Sequence, residues 1–199
     1  MSMVESIHMK KGSVSIIDLG GSHNYWKFLP DGYVEKFNLS IKVLNLRHNP
    51  SKDSYLIKGM VGDARDLSCF NDKSFDIAHS NSLIEHLTTP DQIILSKEVQ
   101  RIACSYYVQT PNFWFPVEPH YMCPFMQWMP VNFRTVMLNN FDMGNLSKRE
   151  NILEALTVVS QLNLIDEMRL QWLFPAAEIV HEKFMGLTKS LIAMRYGEI

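Results

Sequence analysis

The feature that most restricts the fold of this chain is Ser13-Val-Ser-Ile-Ile-Asp-Leu19, a β-branched apolar run that stops abruptly at Gly20-Gly21. A run without polar alternation reads as a strand buried on both faces, the kind found in parallel sheets covered by helices. The rest of the chain repeats the pattern. Ile41-Lys-Val-Leu-Asn-Leu46, residues 55–61, Phe75-Asp-Ile-Ala-His-Ser80 and Ser105-Tyr-Tyr-Val-Gln-Thr110 are further strand candidates, the last closed by Pro111, which lacks a backbone donor. Residues 25–37 are interrupted by Pro30 and Gly32, so the first crossover helix must be short or broken. Residues 48–53 have the polar, proline-containing make-up of a loop.

After Pro90, Ile94, Leu95, Val99 and Ile102 recur at helical spacing opposite Lys97, Glu98 and Arg101, which predicts an amphipathic helix over 91–103. Residues 112–133 are too long and too apolar for a plain connector, and a lid or acceptor-binding insertion is expected within 113–140. A short helix near 169–174 precedes two strand-like runs, 177–184 and 190–195, separated by Gly186. The expected architecture is an α/β, Rossmann-like, mostly parallel sheet with helices on both faces and a C-terminal antiparallel hairpin. Residues 1–199 form one domain on this reading, since 199 residues at 46% hydrophobic content suit one buried core.

Charge and cysteine usage narrow the function. With 19 basic against 21 acidic residues there is no positive field for a phosphate backbone, so no nucleic-acid partner is expected. Cys69, Cys104 and Cys123 are scattered without C-x-x-C spacing, so no metal site is expected and a reducing, cytoplasmic setting is. No apolar run has signal-peptide or membrane-spanning length, so no transmembrane segment is expected.

In an open parallel sheet the ligand crevice lies beyond the carboxyl ends of the strands, and those tips are polar here. Asp18-Leu-Gly-Gly-Ser-His-Asn24 is either a tight strand-to-helix turn or a place where a ligand approaches the backbone. A dinucleotide site is disfavoured, because no third glycine completes G-x-G-x-x-G after Gly21. In Gly62-Asp-Ala-Arg-Asp-Leu67, Asp63 has two possible roles: accepting from an exocyclic amine of adenine or, with Asp66, capping the following turn.

Taken together, Ile16-Ile-Asp-Leu-Gly-Gly21, Gly62-Asp-Ala-Arg-Asp-Leu67 and Ser74-Phe-Asp-Ile-Ala-His-Ser-Asn-Ser-Leu-Ile-Glu-His-Leu87 resemble, in order and separation, the class I S-adenosylmethionine-dependent methyltransferases. The resemblance is to the type-11 group, which includes quinone-biosynthesis C-methyltransferases, and it covers residues 13–112. It implies S-adenosyl-L-methionine as cofactor. Asp18, Gly20, Gly21 and Ser22 would shape its methionine end, Asp63 and Ala64 would hold adenine, and Asn81 and Ser82 would lie below the sulfonium. Ser22 and Asn24 stand where the fuller motif has glycines. Leu46 and Arg47 follow strand two, and Arg47 stands where an acidic residue usually holds the ribose; a guanidinium cannot accept hydrogen bonds. Either affinity is low or the loop around Asn45 and Asn49 compensates.

Methyl transfer needs alignment and water exclusion more than a base. Candidate bases are His86, Glu118 and His120, each with a packed-loop role as the alternative. Phe113, Trp114, Phe115, Tyr121, Phe125 and Trp128 either wall an apolar acceptor pocket or pack as core or surface patch. The acceptor reads as a small molecule, a lipid-linked compound or a glycan. Only residues 1–12 precede strand one, where such folds commonly place covering helices, so an open site or a second subunit in a homodimer is expected. A catalytically degenerate fold acting as a cofactor-binding or scaffolding module is the other class of function.

Overall fold

The computed structural model describes residues 2–47 and 53–197. It contains a seven-stranded sheet made of β1 (Val14–Leu19), β2 (Leu39–Asn45), β3 (Ile57–Val61), β4 (Phe75–Asn81), β5 (Ala103–Pro111), β6 (Glu178–Phe184) and β7 (Leu187–Arg195). The order is β3-β2-β1-β4-β5-β7-β6. Neighbouring strands from β3 through β5 are parallel, whereas β7 runs antiparallel to both β5 and β6. The chain therefore has the mostly parallel α/β sheet with an antiparallel C-terminal hairpin that its sequence predicts. The hairpin turns on Met185 and Gly186, both at positive φ (49° and 83°), the combination a two-residue turn between twisted strands requires.

Both faces of the sheet are covered. On one, the amphipathic helix α4 (Thr89–Ile102) buries Leu95, Val99 and Ile102 against Ile17, Leu19 and Ala78, with Leu170 and Leu173 of α7 (Glu167–Leu173) in the same core. Thr88 caps α4 by accepting from the Asp91 amide, and Pro90 occupies its first turn, where a missing N–H is harmless. On the other face, Ile7 of α1 (Met3–Lys11) joins Ile16, Trp26, Ile41 and Ile77. Ser2 and Glu5 form a capping box at the start of α1, and Gly12, at φ 73°, ends it in the left-handed conformation. The broken first crossover is two single-turn helices, α2 (His23–Trp26) and α3 (Tyr33–Lys36). The N-terminal segment thus supplies a covering helix that the sequence reading lacked.

Residues 112–165, which contain the 113–140 stretch expected to be a lid or acceptor-binding insertion, carry regular structure of their own. They include α5 (Val131–Asn140) and α6 (Ile152–Ser160), which pack on a separate small core of Tyr121, Met126, Leu138, Met143, Ala155 and Val159. Isolated bridges tie the base of this insertion to itself and to the segment before α7, at Val117 with Pro124 and Asn112 with Ile165. Of the loop expected over 48–53, only Asp53 falls within the described residues; Asn49 lies outside them.

Candidate active site

The carboxyl ends of β1 to β4 form two clefts that meet at Gly20. The first, about 250 Å³, is lined by Gly20, Asn45, Leu46, Asp63, Ala64 and His86, among others. The second, about 170 Å³, is lined by Asp18, Gly20, Gly21, Ser22, Tyr25, His79 and Asn81. Gly20 sits at φ 73°, a region open to glycine at no steric cost. A Cβ on Gly21 would lie 1.8 Å from Asp18 Oδ2, so the second glycine exists to let the turn close over that carboxylate.

Asp18 does not point freely into the cleft. It is fully buried; Oδ2 accepts from Trp26 Nε1 at 2.8 Å and Oδ1 pairs with His79 Nδ1 at 2.7 Å. A buried carboxylate needs such partners. Asp18 thus shapes the second cleft by fixing the glycine turn, α2 and β4 to one another. Asn81 lines that cleft beside Tyr25, and Ser82, at φ 57°, donates to Asn81 Oδ1 at 3.1 Å. Ser22 is exposed at the start of α2 and makes no side-chain cap bond.

In the first cleft Asp63 is held by Arg65: Nε donates to Oδ1 at 3.0 Å and Nη2 to Oδ2 at 2.6 Å. This guanidinium holds the Asp63 carboxyl below its ordinary range. Oδ1 also accepts from the Arg65 backbone amide at 2.9 Å and Nε reaches Oδ2 at 3.1 Å, so Arg65 engages both oxygens and a ligand donor would share them with it. The buried Ala64 follows it in the lining. Arg47 requires a correction. Strand β2 ends at Asn45, whose side chain lines the cleft, while Arg47 stands two residues beyond, exposed and outside the lining. Asn45 Nδ2 donates to the Gly21 carbonyl at 3.1 Å and its Oδ1 accepts from the Leu46 amide at 2.9 Å, so it joins the β2 tip to the glycine turn. Leu46 is 70% exposed over the same cleft.

His86, Glu118 and His120 are brought together. Glu118, 2% exposed, accepts from the backbone amides of His120 and Tyr121 at 2.8 and 3.0 Å, and its Oε1 lies 2.5 Å from His120 Nδ1. That contact raises the His120 pKa above the usual imidazole value. The rings of His86 and His120 meet edge to face, with centroids 5.0 Å apart; burial, then the neighbouring His120 charge, pushes His86 down. Sequence reasoning passed over Glu85, which completes the group. Its carboxyl is fully buried, accepts from Thr110 Oγ1 at 3.1 Å, and has no hydrogen-bond partner for Oε1 among the described residues. Desolvation raises its pKa to about 7. The signal available was an acid placed one residue before a candidate base, on the loop after β4.

The aromatic cluster of the insertion divides. Tyr121 is 0% exposed and belongs to the insertion's own core, where Arg134 Nη1 donates to its hydroxyl at 3.2 Å. Trp114 is 62% exposed, Phe125 50% and Trp128 38%, and these three rings touch in series.

This geometry agrees with what comparison finds. Residues 20–105 match the methyltransferase-domain family. The structure superposes on the 1,6-didemethyltoxoflavin-N1-methyltransferase of Burkholderia thailandensis, solved with 1,6-didemethyltoxoflavin and S-adenosylhomocysteine bound. The TM-score is 0.55 at 9% identity, over 96% of this chain and 74% of that one. The fold is that of a class I methyltransferase. The structure also superposes on the PH0226 protein of Pyrococcus horikoshii OT3, with a TM-score of 0.54 at 15% identity, over 98% and 88% of the two chains. Two uncharacterized proteins of Mycobacterium tuberculosis are 38% identical over 55 residues, which is 27% of this chain; that segment is 19% of each relative's length. No helix among the described residues is long and apolar enough to cross a membrane.

Proposed function

We propose that this domain binds S-adenosylmethionine along the two joined clefts and transfers its methyl group to a small-molecule, lipid-linked or glycan acceptor held under the 112–133 segment. One observation carries this reading: the clefts meet at Gly20, and the first reaches His86, which packs against the Glu118–His120 pair. Gly20, Gly21 and Asn81, with Ser22 and Ser82 at the rim, hold the methionine end. Asn45 lies nearest the ribose, and Asp63 and Ala64 meet adenine. Asp18 acts at one remove, as the buried anchor of the glycine turn.

When bound, the cofactor supplies an electrophilic methyl on a sulfonium. The chain's part is to align an acceptor and to take its proton. Glu118 orients His120 through Nδ1, which leaves Nε2 as the atom that receives the acceptor's proton. Burial raises the Glu85 pKa to about 7, so below that pH it keeps its proton and adds no second negative charge beside Glu118. The exposed rings of Trp114, Phe125 and Trp128 supply an apolar surface for the acceptor.

Titration with S-adenosylhomocysteine by calorimetry tests the first half, with a dissociation constant below 1 mM expected at order-of-magnitude level. Asp63→Ala weakens that binding by about 1–3 kcal/mol if the carboxylate meets the adenine amine. Absence of heat with the native chain defeats the reading. Transfer of labelled methyl to extracts fractionated by polarity tests the second half. Binding without transfer to any fraction would favour the cofactor-binding module, a reading supported by the lack of an acid at the β2 tip.

A further inference from the structure

A third cleft, about 400 Å³, opens on the α1–α2 face of the sheet, opposite the face to which the 112–165 insertion is joined through Ile165. Its walls are aromatic and apolar: Tyr25, Trp26 and Leu29 on one side, Tyr107, Met194 and Tyr196 on the other. The short crossover α2 leaves this room, because a longer helix after β1 would lie across the sheet here. Its volume lies within the range of small-ligand sites.

At its base stands His79, which together with Tyr25 also borders the second cleft from its other side. Three rings surround the imidazole: Tyr107 stacked at 12° and 5.4 Å, Tyr25 at 5.0 Å and Trp26 at 5.2 Å. Asp18 is a carboxylate acceptor, so the 2.7 Å contact assigns the proton to His79 Nδ1. Nε2 is left as a hydrogen-bond acceptor, and it has no partner among the described residues. The surrounding rings offer flat faces, and the lining carries no Lys, Arg, Asp or Glu side chain, which disfavours a charged occupant.

We propose that this cleft is a second ligand site, for an uncharged planar aromatic alcohol or similar hydroxyl-bearing ring. The ring lies between Trp26 and Tyr107, and its hydroxyl donates to His79 Nε2. The inference does not depend on methyl transfer.

The test is fluorescence or calorimetric titration of the full chain with 2-naphthol and with 2-methoxynaphthalene, which has the same ring and no donor. The naphthol should bind at least tenfold more tightly, and saturating S-adenosylhomocysteine should leave its constant within twofold. Met194→Trp fills the cleft from β7 with Asp18 and His79 left as they are in sequence and should abolish binding, while His79→Phe should remove the preference for the hydroxyl. Equal binding of the two compounds, no binding of either, or full binding to Met194→Trp overturns the proposal. Competition with S-adenosylhomocysteine also overturns it, by placing the compound in the methionine-end cleft. If His79→Phe does not fold by circular dichroism, the compound pair and Met194→Trp still decide the outcome.

Discussion

Glu118 lies 2.5 Å from Nδ1 of His120 while its other oxygen is held by two backbone amides, so this carboxylate is fixed in place and the imidazole answers to it. The contact stabilises the imidazolium and raises the His120 pKa. A base is active only when deprotonated, so the ascending limb of a pH–rate profile should lie above the ordinary histidine value of about 6.5. Glu118→Gln should move that limb back toward 6.5 and lower turnover by roughly 10²-fold or more. A limb unmoved by the substitution assigns the proton transfer to another group.

Glu85 gives a stability prediction of the opposite kind. Its folded pKa of about 7 exceeds that of an exposed glutamate, so the folded state retains a proton that the unfolded chain releases. Stability therefore declines as pH rises from about 4.5 through about 7, because the unfolded state binds fewer protons there. Glu85→Gln should cancel the decline and gain up to about 3 kcal/mol over the native chain at pH 8.5, with little gain at pH 4.5. Denaturant unfolding at the two pH values measures this; equal differences at both would mean that Glu85 is not protonated in the folded chain.

The sheet was readable because its central strands β1 and β4 are buried on both faces, so residues 13–19 and 75–80 are dominated by apolar side chains and need little context. The helices α5 and α6 were not. In α5 the buried positions are Thr135 and Leu138, while Val131, Phe133 and Val136 are exposed, so apolar residues fall all round and no single stripe appears. The site was readable at the glycine turn and at Asp63, where short motifs need particular backbone geometry. Asn45 was legible only as part of a compensating loop with Asn49, because its role is set by where β2 stops, and strand ends are poorly marked in sequence. Asp18 stands out in the sequence as a strand-end acid, but its partners Trp26 and His79 come from a turn and a neighbouring strand, a relation no local pattern displays.

Asn45 and Arg47 can be separated by experiment. Asn45→Ala removes the side-chain link from the β2 tip to the Gly21 carbonyl, together with the bond that steadies the Leu46 amide, and should weaken S-adenosylhomocysteine binding at least tenfold, about 1.4 kcal/mol. Arg47→Glu, outside the cleft lining, should change it less than about twofold, on the order of 0.4 kcal/mol. A large tightening in Arg47→Glu would return the ribose to that residue.

Gly21→Ala should be a folding mutation before it is a binding one. The new Cβ would meet Asp18 Oδ2 at 1.8 Å, which forces the carboxylate away from Trp26 and His79. Breaking a buried charged contact of this kind costs about 3–5 kcal/mol. Thermal unfolding should drop by at least about 6 °C for a chain of this size. A melting point within about 2 °C of the native chain would show that the turn can open without disturbing Asp18.

Tyr121 and Trp114 both belong to the aromatic cluster of the insertion, yet burial assigns them different work. Tyr121 is fully enclosed with Met126, Leu138 and Val159, so Tyr121→Ala leaves a cavity and an unmatched Arg134, with a loss of about 3–5 kcal/mol. Trp114 is 62% exposed, stands two residues after Asn112 and touches Trp128, so its removal opens little core. Trp114→Ala should therefore fold with a stability within about 1 kcal/mol of the native chain and bind S-adenosylhomocysteine unchanged. Turnover of an acceptor found by screening should fall at least tenfold through a raised KM, because the lost surface belongs to the acceptor's side of the crevice. Unchanged kinetics in a folded Trp114→Ala variant would remove the 112–133 segment from the acceptor site and leave it as a packed structural insertion.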